Sequence, residues 1–238
     1  MTSRLFVVKA LVFCACLAPF VLLVLRARGI GDLSLGPDPQ AELLKTLGMT
    51  GLNLLMLTLC VTPIRRSTGL NRLVALRRML GVFSFFYLAL HFVVYVALYI
   101  SFDWNALLED IAKRPYITVG FAALVMMTPL AATSTNRIQR RLGRRWVKLH
   151  RLVYPIAILA VVHYWWQVKI DVGDPLLYAV LLAVLLGVRV AHWRSVERRR
   201  VGSVDSKAAM AATYQRVEPP KPGRESANER EDERGRDP

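Results

Sequence analysis

No Asp or Glu falls inside any of the long apolar runs of this sequence, a shortage that argues against a carboxylate-lined ion or proton pathway. Cysteine is scarce too. Cys14, Cys16 and Cys60 all sit within apolar runs, form neither a CxxC pair nor an extracellular disulfide pattern, and read as small packed hydrophobes. The CxxCH attachment signal is missing, so any haem held here is expected to be non-covalent and b-type. No GxGxxG-bearing βαβ segment follows the last apolar run, and the remaining stretch of about 45 residues is too short for a flavin and a nicotinamide domain. A nicotinamide-binding module is therefore not expected in this stretch.

What is abundant is apolar sequence and arginine. Hydrophobic residues make up 54% of the 238 and fall in long blocks separated by short arginine-rich connectors, a pattern of membrane spans rather than of a soluble core. The formal net charge of +15 lies beside those blocks, where anionic lipid head groups and membrane topology account for it, and no nucleic-acid partner is expected.

Six spans are predicted, at Leu5 to Leu25, Leu47 to Ile64, Met79 to Phe102, Tyr116 to Thr133, Leu149 to Val168 and Pro175 to Val190. The first competes with a cleaved signal peptide, but it is long and lacks a small-x-small site before Arg26, so a retained helix is expected. The connectors Arg65 to Arg78 and Asn136 to Lys148 carry many bases and no acid, and Arg194, Arg198, Arg199 and Arg200 follow the sixth span. Gly29 to Gln40, Asp103 to Arg114 and Lys169 to Asp174 are close to neutral or slightly acidic. Positive-inside bias then places the basic connectors and both termini in the cytoplasm. From Gly202 to Pro238 the chain is rich in Pro, Glu and Arg and poor in large apolar residues, and it is expected to be a disordered cytoplasmic tail behind a transmembrane domain over 1–201. No internal repeat stands out. The expected fold is an all-α integral membrane protein, a six-helix bundle with a haem site between helices three and five.

The site rests on histidine, of which there are four. His91 and His163 lie about twelve and fourteen residues into spans three and five, which run in the same direction, so their imidazoles come to similar depth toward the outer leaflet. Ionisable groups are costly there, and neutral imidazole is a haem-iron ligand; the plain alternative is a pair of core histidines donating to backbone carbonyls. His150 lies near the cytoplasmic end of span five, as a ligand or as an interface residue. A partner for it in span three would stand where the sequence has Arg77 and Arg78. Arginine is a poor iron ligand but suits a haem propionate or a flavin phosphate. On an ideal helix His150 and His163 point about 140° apart, so a second stacked haem requires tilt or distortion. His192, beside Trp193 at the end of span six, reads as an interface residue.

The stretches RRMLGVFSFFYLALHFVVY, TSTNRIQRRLGRRWVKLHRLVYP and HYWWQVK occur in order and resemble the MsrQ (formerly YedZ) family of haem-binding membrane subunits, within the ferric-reductase-like transmembrane group that includes NADPH oxidases. The resemblance covers about Leu5 to Trp193. It implies haem b, one or two copies, with the histidines matching His91, His150 and His163 as metal ligands, and FMN as a further cofactor. It also implies a bacterial inner-membrane subunit fed by the quinone pool or a cytoplasmic flavin reductase. Its acceptor would be a periplasmic molybdopterin methionine sulfoxide reductase subunit, MsrP, which performs the sulfoxide reduction that repairs oxidised proteins. The wider group carries four such histidines on two helices, and this sequence lacks the fourth. Two other classes remain open on the residues alone, a transporter or proton pathway using the buried histidines and a structural factor without a cofactor.

Overall fold

The computed structural model describes residues 2–29, 35–70, 73–168 and 173–217. Helix α1 spans Thr2–Ala27, α2 Pro39–Thr68 and α3 Val74–Val94, which runs on as a π-helical turn over Tyr95–Tyr99. Then follow α4 (Trp104–Lys113), α5 (Pro115–Ala132), α6 (Asn136–Leu142), α7 (Arg144–Leu149), a 3-10 turn over His150–Leu152, α8 (Val153–Gln167) and α9 (Gly173–Val217). Six helical stretches are long and apolar enough to cross a membrane: Phe6–Ala27, Pro39–Thr68, Val74–Tyr99, Pro115–Ala132, Arg144–Gln167 and Gly173–Arg199. They match the six expected spans in number and order. The protein is an all-α, multi-pass membrane protein, with no strand among the described residues.

The helix boundaries follow local chemistry. Asp38 caps α2 by accepting from the backbone N–H of Ala41 at 3.0 Å, with Pro39 in the first turn, and Gly69 closes the helix at φ 70°. Glu42 favours that same positive helix start and pairs with Arg26 at 2.6 Å, tying α2 to the end of α1. Pro115 opens α5.

The chain divides into compact units, the first ending at Arg189 and the second beginning at Val190. Within the first, α2 packs on α3, α5 packs on α8, and the two hairpins meet through α3 and α5. Lipid tails are as apolar as leucine, so close contact and internal hydrogen bonds hold such helices together. A Cβ on Gly51 would lie 2.7 Å from Leu88, and the Ser84 hydroxyl donates to the Gly51 carbonyl at 2.8 Å, so α2 and α3 meet backbone to side chain. Leu55, Leu59, Met127, Ile156 and Ala157 fill the core between α2, α5 and α8. The buried Tyr87 donates its hydroxyl to the Cys16 carbonyl at 2.6 Å and accepts from the Phe20 N–H at 3.0 Å. Both partners belong to α1, so the phenol hydrogen-bonds α3 to α1.

The structure departs from the sequence expectation in four places. Asp103 to Arg114, expected as loop, holds α4, capped by the Asp103 carboxylate on Asn105 and Ala106. Its ten residues are too short to register as a span. The basic connector folds into α6 and α7, separated at Gly143 with φ 50°. Span five is not one straight helix, because a 3-10 turn interrupts it at His150–Leu152, one turn before Pro155, which has no N–H to give to the Arg151 carbonyl. Helix α9 continues to Val217, past the Gly202 where disorder is expected, through a stretch whose Ala208, Ala209, Ala211 and Ala212 favour helix. The rest of the expected tail, 218–238, lies outside the described residues.

Candidate functional site

His91 on α3 and His163 on α8 face each other where the two hairpins meet. Their ring centroids are 6.3 Å apart and their planes are inclined at 84°. Each ring is held by a carbonyl from the helix paired with its own: His91 Nδ1 lies 2.8 Å from the oxygen of Leu44 on α2, and His163 Nδ1 lies 2.7 Å from that of Tyr116 on α5. A carbonyl only accepts, so in both rings Nδ1 carries the hydrogen and Nε2 keeps its lone pair. This is the tautomer and support that a metal-ligating imidazole requires.

The carbonyl-donating alternative and the ligand reading thus meet in one arrangement. Two core histidines bonded to carbonyls account for Nδ1 in each ring, and that bonding leaves Nε2 as the nitrogen with a lone pair. At a centroid separation of 6.3 Å the two rings are close enough for a single bound group to be held by both. No group of three or more His, Cys, Asp or Glu side chains converges among the described residues, so a metal held by protein ligands alone is not built here. A porphyrin iron brings its own equatorial nitrogens and requires only two axial ligands, so the residues present fit haem.

The other site residues lie elsewhere. His150, in the 3-10 turn, stacks on Trp146 with centroids 3.8 Å apart and places Nδ1 3.1 Å from the Trp146 carbonyl. Trp146 in turn donates Nε1 to the Thr133 carbonyl at 3.0 Å. Arg77 is within electrostatic reach of His150. Arg78 is turned away onto the Asn136 side-chain oxygen. Arg189, which sequence reasoning passed over, donates to Thr62 Oγ1 at 3.1 Å, lies 4.8 Å above the Tyr154 ring and is in electrostatic reach of Arg66 and Arg77. This end of the bundle is therefore basic and aromatic, while the His91–His163 pair lies toward the end where α2 and α5 begin.

Sequence reasoning also missed the glycines. A Cβ on Gly48 would lie 2.9 Å from His91 Nδ1, and one on Gly120 would lie 2.6 Å from His163 Nδ1. The structure brings out a parallel between the two hairpins that did not stand out in the sequence: each histidine follows its carbonyl partner by 47 residues, and each glycine stands one turn beyond that carbonyl. In this register Arg78 occupies in the first hairpin the place His150 takes in the second, so the absence of a fourth histidine is a difference between two like halves.

Residues 47–161 match the family described as ferric reductase like transmembrane component. The "Protein-methionine-sulfoxide reductase heme-binding subunit MsrQ" of Xanthomonas euvesicatoria pv. vesicatoria (strain 85-10) is 47% identical over 195 residues, covering 81% of this chain and 88% of that protein. The subunit of the same name from Xanthomonas oryzae pv. oryzae (strain MAFF 311018) is 46% identical over 84% of this chain and 92% of its own length. That of Rhodospirillum rubrum is 47% identical over 82% and 92%. Sequence similarity over most of both chains, on a six-span bundle with a facing histidine pair, shows that this chain belongs to the MsrQ family of protein-methionine-sulfoxide reductase heme-binding subunits.

Proposed function

We propose that His91 and His163 are the axial ligands of one b-type haem and that the chain is the electron-transfer subunit of a methionine sulfoxide reductase. The observation that carries this is the close pair of rings, 6.3 Å between centroids, each fixed through Nδ1 so that Nε2 is the nitrogen left to bind a metal. Haem iron, when bound, supplies a one-electron couple whose potential is set by axial ligands and burial. The protein residues hold it: the Leu44 and Tyr116 carbonyls fix ring tautomer and orientation, and the apolar walls of α3 and α5, with Phe92 against Phe121 at 5.5 Å, limit water. With the basic connectors on the cytoplasmic side of a bacterial inner membrane, the pair lies toward the periplasm. There it would serve a molybdopterin reductase subunit, MsrP, that acts on oxidised proteins. Arg77, Arg78 and His150 are the proposed contacts of the opposite end for a donor, either the quinone pool or a cytoplasmic flavin reductase. Their charge suits the FMN phosphate or the propionates of a second haem.

The test is haem content by pyridine haemochrome together with reduced-minus-oxidised spectra of the native purified chain and its His91→Ala and His163→Ala variants. Low-spin b-type haem in the parent and its loss in both variants is expected. Wild-type haem content and spectrum in both variants would overturn the ligand assignment, and a parent without haem would overturn the function.

A further inference from the structure

We propose that Gly48 and Gly120 are positioning residues that fix the orientation of the two imidazoles, an inference that rests on the ligation proposed above. A Cβ on Gly48 would come within 2.9 Å of His91 Nδ1 and 3.1 Å of Cε1, and one on Gly120 within 2.6 Å of His163 Nδ1, 2.8 Å of Cε1 and 3.0 Å of Cγ. Neither glycine has a positive φ, so backbone freedom does not explain them and space does. The rings cannot simply retreat. Each is tethered by its Nδ1–H bond to the carbonyl one turn earlier on the same helix as the glycine, Leu44 before Gly48 and Tyr116 before Gly120. The helix backbone thus clamps each ring, with a carbonyl at one point and a bare Cα at the next. The clamp occurs once in each hairpin, at the same register, so the 84° between the ring planes is set by helix packing before iron arrives.

A methyl group at either glycine has to turn its ring or lengthen the Nδ1–H···O bond. Turning the ring changes the angle between the ligand planes, to which the large-g EPR signal of low-spin haem is sensitive. Lengthening the bond makes the imidazole less basic, which raises the reduction potential and weakens metal binding, about 10-fold or more for a lost support of this kind.

The protein supplies its own controls. A Cβ on Gly81 would lie 3.9 Å from Thr58 and one on Gly187 would meet nothing within 4 Å, whereas one on Gly51 would strike Leu88 at 2.7 Å, as severe a clash as at the ligands but one helical turn along α2 and α3, on a leucine rather than an imidazole. The experiment is haem b titration of the full-length apo chain in detergent, with EPR and potentiometry of the loaded forms, for Gly48→Ala, Gly120→Ala, Gly51→Ala, Gly81→Ala, Gly187→Ala, His91→Ala and His163→Ala. The expected result is about 10-fold weaker haem binding, a moved large-g signal and a raised potential for Gly48→Ala and Gly120→Ala. Gly51→Ala is expected to lose thermal stability with its signal in place, and Gly81→Ala and Gly187→Ala to match the parent. Wild-type affinity and signal in Gly48→Ala and Gly120→Ala, with haem lost from the histidine variants, would overturn the positioning role alone. An equal spectral change in Gly51→Ala would overturn it too, by assigning the effect to general packing. Histidine variants that keep the low-spin signal would instead overturn the ligation beneath it. If Gly120→Ala does not fold, Gly48→Ala carries the test, since its methyl meets the ring less tightly.

Discussion

Leu44 and His91 are joined across the first hairpin by a 2.8 Å hydrogen bond, and that bond decides which ring nitrogen is left over. Because the carbonyl takes Nδ1–H, only Nε2 is available to a metal. Replacing His91 by Met keeps a ligand of opposite character and no Nδ1 tether. His91→Met is expected to retain haem with a raised potential, while His91→Ala loses the low-spin spectrum. Reduced-minus-oxidised spectra and potentiometric titration of isolated membranes check both.

Tyr87 tests whether α1 is held by its phenol. Tyr87→Phe removes the bonds to the Cys16 carbonyl and the Phe20 N–H and leaves both in a dry site. A loss of about 1–2 kcal/mol of stability is expected, with the haem spectrum unchanged. Thermal unfolding in detergent followed by circular dichroism measures the loss. Cys16→Ala, which leaves its own carbonyl in place, is expected to cost less.

The basic end is predicted to matter for rate rather than for the outer spectrum. Arg77→Ala and His150→Ala are expected to slow reduction by a cytoplasmic donor at least several-fold while leaving the His91–His163 spectrum intact. Stopped-flow reduction of vesicles of known sidedness is the measurement. Wild-type rates in both variants would make these residues structural and route the donor elsewhere.

Truncation before Gly202 is expected to leave haem content unchanged, because the removed segment holds no ligand proposed here. A reporter fused after Arg200 is expected to be active only if it works in the cytoplasm. Strong activity of a periplasmic reporter at that point would reverse the assigned orientation.

The six spans were legible because membrane helices must satisfy their backbone internally and so declare themselves by length and apolarity. The histidine pair was legible for a related reason, since imidazole at that depth is costly and helix rise alone gave the common depth of His91 and His163. Contacts between side chain and backbone were not legible. Nothing in the identity of Leu44 or Tyr116 announces a carbonyl that takes an imidazole hydrogen, and Gly48 and Gly120 looked like ordinary small residues in an apolar helix. The straight-helix angle of about 140° between His150 and His163 also lost its force once the 3-10 turn at His150–Leu152 intervened. Sequence expected α9 to end before Gly202 because composition reports the lack of a core, whereas helix propensity acts locally.

Each hairpin brings one imidazole to the centre, α3 in the first and α8 in the second. Under the proposed ligation, haem capture is then a bivalent event in which the first Fe–N bond turns the second into an intramolecular one, at an effective concentration set by the hairpin contact. Avidity of this kind can exceed either single affinity by about 10²–10⁴. It makes the contact between α3 and α5 part of the haem affinity. A change that loosens the two hairpins without touching either histidine would release haem, and bound haem would in turn lock the hairpins together.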